Sequence, residues 1–128
     1  MKTKIIIISI VLTIITGVFI IEMTYVKSTL ADISESSKQI IEQIQNDNQK
    51  QPLLDSMNTT YTSWKNSEYN LCFLYNHKDL LEVGKELNQA ISYVEQDNNT
   101  EAYIHMLLLQ EDLRALDQII GFDLCNIF

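Results

Sequence analysis

The chain has 128 residues, a formal net charge of −8, three Gly and a single Pro. So few turn-forming residues disfavour tight-turned β folds and Gly-rich phosphate cradles, and point to an all-α chain. After residue 23 there are seven Lys or Arg against sixteen Asp or Glu, a net of −9, which repels phosphate backbones and excludes nucleic acid as a partner.

The first element is an apolar run. Ile5 to Ile21 is seventeen residues without a charge, preceded by Lys2 and Lys4 and followed by Glu22. Only a helix carries a single segment of this kind through hydrocarbon, because it pairs every backbone group internally. At 1.5 Å per residue, Ile5 to Met23 spans roughly 28 Å, about one hydrocarbon core. A cleaved signal peptide would have an apolar core of about 7–15 residues with a small-x-small site close behind. The nearest such site here, Thr29-Leu30-Ala31, lies far downstream. Residues 1–23 therefore read as an uncleaved, single-pass membrane anchor with a short cytoplasmic tail. The positive-inside bias puts Lys2 and Lys4 in the cytoplasm and residues 24–128 outside it, as an extracytoplasmic helical domain.

Four apolar seams follow, each spaced three and four residues apart as on a packed helix. The first is Val26, Leu30, Ile33, Ser37, Ile40 and Ile44, and it offers a surface for homo-oligomerisation. Asn46-Asp47-Asn48 predicts a turn, and Pro52 suits the first turn of the next helix. The second seam is Leu53, Met57, Tyr61, Trp64 and Leu71 with Tyr75, and Asn76 predicts its end or a bend. The third is Leu80, Val83, Leu87, Ala90 and Val94. Asp97-Asn98-Asn99 breaks the chain again, with Asn99 or Thr100 as the cap. The fourth is Ala102, Met106, Leu109, Leu113, Leu116 and Ile120, with Gly121 placed as a helix stop. Residues 40–48 echo residues 90–98 at an offset of fifty, so the seams predict two antiparallel helical hairpins packed as a four-helix bundle.

Candidate chemistry is sparse. His77 opens the third helix and His105 sits on the fourth, and neither has a second His or Cys at helical ligand spacing, so no metal site is expected. Cys72 and Cys125 are the only cysteines. They are candidates for a disulfide closing a loop of about fifty residues, or for two small buried hydrophobes. No nucleophile elbow, phosphate loop or dinucleotide fingerprint is present, so neither an enzyme nor a cofactor is expected. Tyr69 and Phe73 lie off the second seam and, with His77, form a candidate partner surface.

The order of these features resembles an uncharacterised family, a domain of unknown function, of short membrane-anchored helical proteins from Gram-positive, often spore-forming, bacteria. The features that carry the likeness are the Lys-flanked apolar start, Trp64, His77 with Asp79, the second Asp/Asn turn with Ala102, and the ending Leu124-Cys125-Asn126-Ile127-Phe128. The chain departs from the family at Lys78 and Pro52. The resemblance implies membrane attachment and an all-helical fold, with no activity attached. The expected function is a membrane-anchored binding or structural module, an accessory partner of another membrane or envelope protein. The alternative is an extracytoplasmic ligand sensor acting through a separate signalling partner.

Overall fold

A computed structural model describes residues 2–46 and 49–125, with side chains for residues 3–46 and 49–119. It is all-α, with four helices: α1 Lys2–Gln45, α2 Lys50–Leu71, α3 His77–Glu95 and α4 Asn99–Cys125. No strand occurs among the described residues. Nothing interrupts α1, so the anchor and the first seam form one rod of 44 residues, roughly 66 Å long. The predicted Asn46-Asp47-Asn48 turn falls partly outside the described residues.

Local chemistry sets the remaining boundaries. α2 ends at Leu71 rather than continuing to Tyr75, and Cys72, Leu74 and Tyr75 turn back by donating to carbonyls of Glu68 and Leu71. Asn76 is therefore not a bend in α2 but the cap of α3, where its side chain accepts from the Lys78 amide at 3.0 Å. At the other end of α3 the chain makes a Schellman turn. Asn98 N–H donates to the Tyr93 carbonyl and Asp97 N–H to that of Val94, with Asp97 in the left-handed region at φ 58°. Asp is one of the few residues that tolerate this conformation. The cap of α4 is Asn98, whose side chain accepts from the Glu101 amide at 3.3 Å, one residue before the predicted Asn99 or Thr100. α4 runs on through Gly121 to Cys125. A glycine permits a helix stop without forcing one, since its cost within a helix is only about 1 kcal/mol relative to alanine.

Each helix packs on two others: α1 on α2 and α4, and α3 on α2 and α4. Side-chain links show how the ends are matched. Lys50, opening α2, donates to the Glu95 carbonyl at 2.7 Å and pairs with Asp97 at 2.8 Å, where α3 ends. Gln45, closing α1, donates to the Tyr103 hydroxyl near the start of α4. Asn70, near the end of α2, donates to the Tyr25 hydroxyl at 3.4 Å, some twenty residues back along α1 from its end.

The seams meet in one core. Val26, Leu30, Ile33, Ile40 and Ile44 are buried against Leu53, Met57, Trp64, Leu80, Val83, Leu87, Met106, Leu109 and Leu113. The first seam is thus spent inside the chain, so a homo-oligomer would have to use another face. Ser37, the polar interruption, is fully buried and satisfied. Its hydroxyl donates to the Ser34 carbonyl at 2.9 Å and takes a hydrogen bond from Gln110. Trp64 fills the space left by a glycine: a Cβ on Gly84 would stand 3.3 Å from the indole nitrogen.

Candidate functional site

One apolar surface feature of the folded domain is on α4. Its core face, Ala102, Met106, Leu109, Leu113 and Leu116, is buried. Ile104, Leu107 and Leu108 are spaced i, i+3 and i+4, which gathers them on one face. They lie on the side opposite the core seam, about 200° around the helix at 100° per residue, and are 42 %, 45 % and 42 % exposed. Glu111 follows in the same line. A surface helix ordinarily keeps that side polar, as α3 largely does with Lys78, Lys85 and Asn88. α4 is apolar on both sides, a condition usual for a helix that is covered all round. Sequence reading took the seam and passed over this second stripe. The available signal was the unbroken Ile104-His105-Met106-Leu107-Leu108-Leu109 run, too apolar for a helix with one wet face.

The predicted partner surface lies elsewhere, where α2 turns into α3. Tyr69 and Phe73 meet edge to face, with ring centroids 6.3 Å apart and planes at 85°. His77 is exposed at the start of α3, and the turn brings its Nδ1 to 3.6 Å from the Sγ of Cys72. A spacing of five residues does not place two ligands together on a continuous helix; here the helix has ended between them. Two groups do not hold a zinc ion, and among the described residues no cluster of three or more His, Cys, Asp or Glu stands ready for one. Cys72 is exposed. The Cys125 side chain lies outside the described residues, and with it the candidate disulfide.

His105 is tied to α3. Its Nδ1 lies 2.6 Å from a carboxylate oxygen of Glu86, both side chains are mostly buried, and its ring stacks on Tyr93 at 5.2 Å. The pair links α3 to α4 beneath the helix surface. Two turns further along α4, burial pushes the Asp112 carboxyl above the usual carboxylate range, helped by the negative charges of Glu86, Glu82 and Glu111. The cavity beside Asp112 is small, about 120 Å³, and is lined by Asp79, Glu82, Ala115, Leu116 and Ile119. His105 does not line it. The fold therefore separates the histidine from the raised carboxyl that an acid–base site would need beside it.

A shallow groove runs between α1 and α4. It measures about 260 Å³ and gathers Lys27, Lys38 and Arg114 around Ser34 and Gln110, with Asp117 at one edge. Arg114 is the chain's only arginine. Among the described residues neither it nor Lys27 has a carboxylate within 4.0 Å, whereas Lys50, Lys65 and Lys85 are each paired.

The N-terminal apolar run is distinct from all of these. Every side chain from Ile5 to Thr16 is exposed, and the large apolar residues between Ile5 and Ile21 range from 48 % to 69 % exposed. By length and composition α1 is able to cross a membrane. No family model matches the chain, and no curated protein or solved structure matches it either.

Proposed function

We propose that the chain is a membrane-anchored binding module without catalytic activity. In this reading residues 5–21 cross the bilayer, Lys2 and Lys4 stay on the cytoplasmic side, and residues 24–128 stand outside as two antiparallel hairpins packed into a four-helix bundle. The outer face of α4 docks on an apolar surface of another membrane or envelope protein, for which this chain is an accessory partner. The observation that carries the reading is the exposed Ile104–Leu107–Leu108 stripe on a helix whose other side already fills the core. Full burial of such a side chain is worth about 1.5–3 kcal/mol, and with 42–45 % of each residue still in water somewhat less than half of that is left for a docked partner to recover.

The test is purification of the tagged full chain from its own membranes in mild detergent. A stoichiometric partner should accompany it, and Leu107→Asp with Leu108→Asp should lose that partner. Both positions are exposed, so the double variant keeps its fold, which is read from the emission of the buried Trp64. A clean monomer from the unaltered chain would end the docking reading. A larger particle made of this chain alone would assign the face to a second copy.

A second reading, ligand sensing through a separate signalling partner, is favoured by the Lys27–Lys38–Arg114 groove. It is built partly on the helix that enters the membrane, so an anion seated there would bear directly on that helix. A thermal shift of the detergent-solubilised full chain by inorganic phosphate or citrate, absent in Arg114→Ala, is the expected result. No shift with either anion would remove it.

A further inference from the structure

We propose that the α2–α3 turn is a second membrane contact, with Tyr69 and Phe73 seated in the headgroup layer of the bilayer that α1 crosses. The proposal rests on the reading of residues 5–21 as a membrane span. Phe73 and Tyr69, at 77 % and 75 %, are the most exposed large apolar side chains among the described residues, more so than any in the anchor itself. Phe73 stands in the α2–α3 turn and Tyr69 in the last turn of α2 before it, at a height above the membrane set by a contact to α1. Asn70 donates to the hydroxyl of Tyr25, and Tyr25 lies four residues past Ile21, about 6 Å along the helix. The polar layer of a leaflet is roughly 5–8 Å deep. The Asn70–Tyr25 contact therefore lies within it.

α2 runs toward the membrane at this point. Its start is joined to the far end of α1 by a short connection, and Asn70 is near its end. Phe73, beyond Asn70 on the turn, is carried to the same depth or deeper. Tyr25 adds a third partly exposed aromatic ring at this level. Aromatic rings concentrate at membrane interfaces because an apolar ring and, in Tyr, a polar hydroxyl suit a boundary that is wet on one side only. A protein partner reaching the same pair would have to approach through the headgroups, which is why lipid is the favoured occupant. With two supports, α1 and the turn, the domain is held at one tilt, and the α4 face points in a set direction along the membrane.

The test uses the full chain in phosphatidylcholine vesicles whose acyl chains carry bromine near the glycerol end, a short-range quencher of tryptophan. Three variants are compared with the parent, in which Trp64 is fully buried. Phe73→Trp probes the turn, Val18→Trp the anchor and Gln51→Trp the opposite end of α2. The expected result is loss of emission for V18W and F73W and none for Q51W. V18W quenched with F73W unquenched would overturn the membrane contact while leaving the anchor in place, and would return the aromatic pair to a protein partner. An unquenched V18W would overturn the anchor reading and this proposal with it. Equal quenching of F73W and Q51W would overturn the proposal by removing its dependence on depth.

Discussion

The two halves of α1 differ in how their apolar side chains are spaced and in where those side chains stand. From Ile5 to Ile21 nearly every position is apolar, and none of the large residues finds a protein neighbour that covers it. From Val26 to Ile44 the seam residues Val26, Leu30, Ile33, Ile40 and Ile44 are buried, Ile41 packs half-buried beside them, and the intervening Lys27, Asp32, Glu35 and Lys38 face water. One helix thus carries two surfaces, the first long and apolar enough to cross a membrane. An all-round apolar surface suits lipid, and a one-sided stripe suits a protein core wetted from outside. α4 falls between these patterns, with a filled core stripe and a second stripe left over.

The largest break in this comparison is charge in the anchor. Val11→Arg with Ile14→Arg costs about 2.5–3.5 kcal/mol per arginine at the centre of a span. The expected outcome is transfer of the protein from the membrane pellet to the soluble fraction. Trp64, the only tryptophan, should keep its buried emission there, because the domain core uses no residue of the apolar run. A red-shifted Trp64 in the released protein would show that the two halves of α1 depend on each other.

Next in size is a pair of truncations within the same helix. Ile40→Ala removes a fully buried side chain and should lower stability by about 2–5 kcal/mol. Ile14→Ala, exposed in the anchor, should shift the urea midpoint followed by Trp64 by no more than about 0.5 kcal/mol. Equal effects would erase the distinction between the halves.

Gln110→Ala comes third. It removes the amide that reaches Ser34 and Ser37 across the α1–α4 contact, but the Ser37 hydroxyl keeps its bond to the Ser34 carbonyl. The expected loss is about 1–3 kcal/mol, the worth of two hydrogen bonds, again read by the Trp64 midpoint.

The smallest expected effect is that of pH on Asp112. Burial raises its folded-state pKa, so the native chain holds this proton over a range where the unfolded chain has already lost it. Stability from this group therefore falls as pH rises through that range. Asp112→Asn should be more stable than the parent at about pH 7, and its advantage should vanish at about pH 3, below the ordinary carboxylate value. A constant difference between the two pH values would place the effect outside ionisation.

Much of the architecture was legible residue by residue. All six positions of the Val26–Ile44 seam are buried, Ser37 included, as are all five from Leu80 to Val94. The fifty-residue echo also has a physical counterpart, since α1 ends at Gln45 and α3 at Glu95. The misses have distinct causes. Gly121 and Asn99 were read from residue type, but a cap is decided by which side chain reaches the free amide, and Asn98 reaches Glu101. Tyr61 was placed on the core seam yet is only half-buried, while Thr60 beside it and Glu68, paired with Lys65, complete the buried face. The Cys72–His77 approach was hidden because spacing along a helix says nothing about a turn that ends it.

By itself the sequence determined which segments are helical, which side of each faces the core and which stretch is long and apolar enough to cross a membrane. Those properties follow from the period of apolar side chains along one chain, and need no knowledge of neighbours. Only the tertiary structure decided which apolar side chains are left over and which part of α1 the α2–α3 turn stands beside. The surplus of Ile104, Leu107 and Leu108 appears only once the opposite side of α4 is seen to fill the core. The placing of Tyr69 and Phe73 close to the end of the apolar run appears only once α2 folds back along α1 and Asn70 meets Tyr25. Both depend on the direction in which helices run past one another, which no single helix carries in its own pattern.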